Sequence, residues 1–326
     1  MTATGTASTA ADGLPPELVA RFAEALRRLN PHGGKIGLAV SGGPDSMAML
    51  LLAHAAIPGS FEVATVDHGL RPEAKDECAL VAAACAVRDI PCEVLRVEVA
   101  KGNVQAKARE ARYDALGAWA TRRKLACIAT AHHADDQAET LLMRLNRGSG
   151  VAGLAGVRAL SQISGVGVPV IRPVLDFRRA ELRALVEGAG VAFASDPSNQ
   201  DDSYDRVRIR KALADADWLD PRALARSAGH LAEANAALVN IADAYFCDHA
   251  SSDGTALRLL PPDERMIALL ALGRALSSFG AEARGSEIAG LLGRLEAGEG
   301  GNLAGVLVTV EKDEWVFRPE PPRRTG

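Results

Sequence analysis

The sequence predicts an α/β fold: a doubly wound parallel sheet followed by a second, smaller and mainly helical domain. Three observations lead there. Short apolar runs alternate with helical periodicity four times between residues 35 and 146. The most unusual polar clusters fall where those apolar runs end, which is the edge at which such sheets bind ligands. After about residue 213 the strand signal gives way to long helical stripes.

The elements follow in order. Residues 1–14 open on MTATGTASTAADG, with neither a basic start nor an apolar stretch, and read as a disordered tail rather than a secretory signal. In 15–29, Leu18, Phe22, Leu26 and Leu29 share one helical face. KIGLAV (35–40) is a buried strand, and Asp45 to His54 a helix. FEVATVDHGL is a second strand ending near Asp67, followed by a helix over 73–89. CEVLRVEV (92–99) alternates as a third strand, and 103–124 is a long basic helix. ACIATAHH (126–133) is a fourth strand, with a helix over 135–146 that Asp135 would cap. Residues 151–169 read as loop with a short strand, and 176–190 as a helix capped by Asp176. The stretch 195–211 is turn-rich, then basic. Beyond it lie a helix with Leu224, Leu231, Leu238 and Tyr245 in one stripe, two further helices and a closing hairpin. The boundaries expected are 15–212 for the sheet domain and 213–326 for the helical one.

Composition narrows the class. Of 326 residues 48% are apolar and 24% charged, the balance of a soluble globular chain. The net charge of −4 means that any nucleic-acid contact must come from local basic patches. Cys78, Cys85, Cys92, Cys127 and Cys247 form no C-x-x-C pair, which suits a reducing compartment. No apolar run is long enough to span a membrane, and a cytoplasmic location is expected.

The chemistry concentrates in SGGPDS, residues 41–46. A nucleophile at Ser41 fits poorly, because Ala39 breaks the G-x-S-x-G elbow. A phosphate cradle fits better. Glycines admit backbone N–H groups to an anion, the following helix presents its positive end, and Ser41 and Ser46 can donate hydroxyl bonds. The Walker lysine is missing, so this is a different phosphate loop. Asp45 would repel a phosphate unless Mg²⁺ lies between them or it caps the helix. A plain strand–helix turn is the simplest alternative.

S-G-G-x-D-S after the first strand resembles the pyrophosphate loop of the PP-loop ATPases, which share a Rossmann-like nucleotide-binding fold and cleave ATP between its α and β phosphates. VDHGLR (66–71), AHHADDQAETLLMRLNRGSG (131–150), Arg172-Pro173 and DPSN (196–199) with the basic run after it resemble the tRNA(Ile)-lysidine synthetase family, in its shorter form. Val207 departs from that family, which carries asparagine there.

The resemblance implies ATP bound by Ser41, Gly42, Gly43, Pro44, Asp45, Ser46, Asp67 and His68. It implies catalysis by Asp45, Arg112, Asp136 and Glu139, with Mg²⁺ arriving on ATP and Asp45 as its candidate ligand. Asp136 and Glu139, three apart on one helical face, suit the ammonium groups of free lysine. A solvated helix face is the plainer reading of that pair, and a zinc site using both His132 and His133 is disfavoured because adjacent strand residues point opposite ways. Arg112 would stabilise phosphate charge, against an ordinary surface salt bridge. Lys107, Arg109, Arg122, Arg123, Lys124, Arg206, Arg208, Arg210 and Lys211 are candidate tRNA contacts. The implied partner is tRNA(Ile) with a CAU anticodon, and a homodimer is compatible with it. The rivals are a sulfur-inserting PP-loop enzyme and a tRNA-binding homologue without catalysis.

Overall fold

A computed structural model describes residues 13–69, 73–98, 104–163, 165–194 and 205–320. DPSN, the last two residues of VDHGLR and most of the expected N-terminal tail lie outside the described residues. The chain divides into two compact units, Met1–Leu231 and Ala232–Gly326.

The first unit runs α1 (Pro16–Leu29), β1 (Ile36–Ala39), α2 (Pro44–Ala56), β2 (Phe61–Asp67), α3 (Glu73–Ala86), β3 (Cys92–Arg96), α4 (Val104–Arg123), β4 (Cys127–Ala129), α5 (Ala134–Asn146), α6 (Val151–Leu154), β5 (Leu160–Ser161), β6 (Val170–Ile171), α7 (Arg179–Gly188), α8 (Asp205–Asp215) and the start of α9 (Pro221–His249). The strand order is β3-β2-β1-β4-β6-β5, parallel except for β5 on the edge. β1 sits centrally, with Ile36 opposite Phe61 on one side and Cys127 on the other. The chain winds one way from β1 to β3 and the other way from β4. Loops after β1 and β4 therefore diverge and leave a crevice at their carboxyl ends.

The central position explains the sequence. Every residue of α2 from Met47 to Ala53 is buried, so this helix is apolar on all sides rather than amphipathic. The α4 side is set by Tyr113, Leu116 and Trp119, which pack with Ala64 and Ile128 of the sheet. A Cβ at Gly37 would lie 2.5 Å from the Trp119 ring and 2.8 Å from Leu125 Cδ1. Gly37→Ala is expected to cost about 1–3 kcal/mol by overpacking, read as a lowered midpoint in urea unfolding.

Several boundaries differ from the sequence reading. β4 stops at Ala129, because the following residues turn toward the cap of α5. That cap is His133, not Asp135: the imidazole accepts the Asp136 N–H while the Asp136 carboxylate accepts the His133 N–H. α7 begins at Arg179, and Glu181 rather than Asp176 satisfies the free Arg178 N–H. The pattern change read at 213 falls inside α8, and α9 runs through the division between units.

The second unit holds the rest of α9, then β7 (Ala250–Ser252), β8 (Leu257–Leu259), α10 (Arg265–Ser278), α11 (Gly285–Glu296), β9 (Gly301–Leu303), β10 (Val306–Glu311) and β11 (Glu314–Pro319). The closing hairpin is the centre of a five-stranded antiparallel sheet, β7-β8-β11-β10-β9. Its other strands have three residues each, too few for alternation to register in the sequence. Leu272, Leu292, Trp315 and Phe317 form this unit's core. Among the described residues no helix is long and apolar enough to cross a membrane.

Candidate active site

The turn after β1 is shaped by Gly42 and Ser46. Gly42 has φ +86°, and a Cβ there would come within 3.2 Å of the Glu77 carbonyl oxygen. Ser46 Oγ accepts from the Ser41 N–H at 3.1 Å and donates to the Gly43 carbonyl at 3.0 Å. Buried Ser46 thus holds the loop in shape, while exposed Ser41 keeps its hydroxyl 3.2 Å from Ser46 Oγ. Gly43 is the N-cap of α2, with Pro44 and Asp45 in the first turn. A Cβ at Gly43 would meet only Ser41 Oγ, at 3.7 Å, so the loop leaves its amides approachable from the cavity. An open loop at the positive end of a thirteen-residue helix has the geometry and charge that suit an anion.

Asp45 completes the turn in an unusual way. Its Oδ2 lies 3.5 Å from His133 Nε2, and its Oδ1 is buried without a hydrogen-bond partner among the described residues. Leaving a carboxylate oxygen in that condition costs about 1–3 kcal/mol. The loop and this oxygen fit a divalent cation delivered with phosphates. Among the described residues no group of three ligating side chains forms a metal site by itself.

His133, 1% exposed, stands between the two loops. Burial opposes its charge, but Asp45 and Asp136 outweigh burial and raise its pKa. His132 takes the opposite course. It lines the cavity, its Nδ1 lies 3.1 Å from Thr130 Oγ1, and burial together with Arg172, Arg109, Arg112 and Arg206 pushes it down to about 3. A neutral imidazole therefore faces the crevice at neutral pH.

The two carboxylates of α5 are held differently. Asp136 lines the cavity, with Arg206 Nη2 at 2.9 Å from its Oδ1. Glu139 is 1% exposed and enclosed by Arg206 Nε at 2.7 Å, Arg210 Nε at 2.8 Å and Arg179 Nη2 at 3.2 Å. Burial raises its pKa and these guanidinium groups more than offset it, so the carboxyl ends below its ordinary value. Glu139 therefore anchors α8 to α5, and Arg206 and Arg210 turn inward onto it. Val207, on the same helix α8, is buried. Asp135 is fixed by Arg178 Nη2 at 3.2 Å and the Arg179 N–H at 2.7 Å.

One cavity of about 470 Å³ joins these parts, with Ser41, Gly43, Asp45, His68, Arg112, His132, Asp136 and Arg206 in its walls. Arg112 reaches it from α4 beside the Tyr113 ring, whose centroid is 5.5 Å away. Asp67 stands just behind, accepting the Gly69 N–H at 2.9 Å. The remaining candidates scatter. Arg122 and Arg123 close the other end of α4 and Lys124 follows it, at the edge where strands begin. There Arg123 forks onto Glu62 at 2.6 and 2.8 Å, Lys35 adds a third bond at 2.7 Å, and Arg122 meets Glu93. Arg208 is exposed and pairs with Asp205, and Lys107 with Glu110. Arg109 and Lys211 are exposed.

Three contributors escaped sequence reasoning. Gln137 clamps the Val157 backbone through both N–H and C=O. Arg172 is buried and holds the Arg158 carbonyl and Ser161. Arg179 closes over Glu139. Gln137 and Arg172 lay in quoted motifs, but their partners come from segments with no distinctive pattern.

A doubly wound sheet carrying an open, lysine-free phosphate loop with an aspartate in the first helical turn defines an ATP-pyrophosphatase type of nucleotide-binding domain. The comparisons agree: the PP-loop domain family matches residues 16–216. The tRNA(Ile)-lysidine synthase of Novosphingobium aromaticivorans is 47% identical, covering 94% of each chain, and that of Zymomonas mobilis is 37% identical, covering 95% of this chain and 96% of its own. Among solved structures, the U34-tRNA thiolase NcsA from Methanococcus maripaludis with its [4Fe-4S] cluster superposes with TM-score 0.56 at 16% identity, over 67% of this chain and 80% of its own. That likeness is one of fold. This chain belongs to the tRNA(Ile)-lysidine synthase family of PP-loop proteins.

Proposed function

We propose that the chain is an ATP-dependent ligase that joins free lysine to the 2-position of the cytidine at the first anticodon position of tRNA(Ile) with a CAU anticodon. The cytidine 2-oxo oxygen attacks the α-phosphate of ATP, and the bond to pyrophosphate breaks. The lysine ε-amine then attacks the activated carbon, loses a proton and expels AMP. The product, lysidine, pairs with adenosine instead of guanosine, so the codon read changes from AUG to AUA and the amino acid from methionine to isoleucine. The protein acts in the cytoplasm.

The observation that carries this reading is the shared cavity. The phosphate loop, Asp45 and Asp136 line the same space. The loop amides and the α2 N-terminus receive phosphate charge, and Arg112 adds a fixed cation from α4. Mg²⁺ carried on ATP would be held by Asp45 and would neutralise charge as pyrophosphate leaves. Asp136 is the accessible carboxylate for the incoming amine, and helps draw off a proton whose solution pKa is about 10.4. Glu139 receives an ammonium group only if one of its guanidinium partners moves aside. Exposed Arg208 and Lys211 are the candidates best placed to meet RNA phosphates.

The test is stoichiometry: one AMP and one pyrophosphate per lysine consumed, with tRNA, ATP and lysine all required. Turnover that needs a sulfur donor, or no AMP under any combination, would reject the reading. Asp136→Asn is expected to raise the half-saturating lysine concentration about tenfold or more, with little change for ATP, from the loss of one charged contact.

A further inference from the structure

His133 is absorbed by no step of the proposed reaction, yet it is the side chain that touches both halves of the site. Its Nδ1 accepts the Asp136 N–H at 3.3 Å, which uses the ring's lone pair there and leaves the ring proton at Nε2. Nε2 faces Asp45 Oδ2 at 3.5 Å and Asp136 Oδ2 at the same distance. The ring is only 1% exposed and its Nδ1 is tied to the Asp136 N–H, while the His133 backbone N–H donates to Asp136 Oδ2 at 3.1 Å, so the residue is fixed at the start of α5. Among the described residues Asp45 has no second tether, since its other oxygen is the unpartnered one.

We infer that His133 is a positioning residue for Asp45, facing Oδ2 with Nε2 and so orienting the carboxylate at the cavity wall toward the cation that accompanies the nucleotide. This rests on the ATP-cleaving reading above. The logic is that of an outer-shell group orienting a metal-binding carboxylate. It also links the phosphate loop after β1 to the first turn of α5, so the site for the leaving group and the site for the amine share one rigid element.

The two nitrogens can be separated by substitution. Asparagine places an acceptor where Nδ1 is and caps a helix well, but cannot reach Asp45. Glutamine extends an N–H toward the Nε2 position and gives up the cap. The probe is Mn²⁺ binding to the full chain in complex with α,β-methylene-ATP, followed by electron paramagnetic resonance. His133→Gln should bind Mn²⁺ close to wild type, and His133→Asn about tenfold more weakly. Wild-type affinity in His133→Asn, or equal loss in both variants, would overturn the inference.

Should either variant fail to fold, the wild-type chain decides it through ¹⁵N shifts of its imidazoles with Mg²⁺ and the same analogue. A His133 protonated at Nε2 whose shift moves on binding is expected. A ring protonated at Nδ1 alone, or an unmoved shift, would contradict it. Failure of the underlying reading shows elsewhere: wild type would then release no pyrophosphate from ATP with tRNA and lysine present.

Discussion

Asp45→Ala is expected to lower tRNA-dependent pyrophosphate release by about 10²–10³-fold or more, the usual cost of removing a group that neutralises transition-state charge. The fold should survive it. Oδ1 of Asp45 is buried with no partner in the described structure, a cost that offsets the contact of Oδ2 with His133. The substitution removes both, and the melting temperature should hold. A residue that lowers activity when removed without lowering stability is the signature of a functional strain. Wild-type turnover in Asp45→Ala would dismiss the metal role.

Glu139→Ala is expected to act in the reverse manner. Arg179, Arg206 and Arg210 converge on a carboxylate that is almost wholly buried. Removing it leaves three guanidinium groups without their shared counter-ion, which typically costs about 3–5 kcal/mol, toward the lower figure because the arginines are partly exposed. Chemical unfolding of the full chain measures it. The pH dependence has a defined sign. The folded pKa of Glu139 lies below its ordinary 4.5, because its guanidinium bonds outweigh burial. Its contribution is therefore fully present above that value and lost as pH falls through the folded pKa. Glu139→Gln should flatten this part of the acid limb. A variant of unchanged stability but greatly raised lysine requirement would instead return Glu139 to the lysine pocket.

These two residues illustrate what the sequence makes legible. The alternation of apolar runs and helical periods is local information, and it places β1 through α5 closely. The glycines and serines of 41–46 are also local, since a turn with φ above zero and an open amide row needs those residue types in that order. The partner of a charge is not local. Arg206 and Arg210 read as candidate tRNA contacts on a basic run, but α8 lies against α5 and turns them onto Glu139. The same holds for Arg123, whose carboxylate partner Glu62 lies near the start of β2, 61 residues earlier. The five-stranded sheet of the second unit was hidden for a different reason: three-residue strands carry no period. His133 reads from the sequence as half of a histidine pair, and only the structure separates its two nitrogens between Asp45 and the cap of α5.

The central claim is that this cavity joins ATP cleavage at the α-phosphate to attack by a lysine amine on a tRNA cytidine. Incorporation of radiolabelled lysine into tRNA(Ile) bearing a CAU anticodon, with elongator methionine tRNA as the control, tests it directly. ATP-dependent label is expected in the isoleucine tRNA, at one lysine per tRNA and located at the first anticodon position, with the methionine tRNA unlabelled. Absence of label from the isoleucine tRNA under conditions where the chain is folded and binds ATP would contradict it.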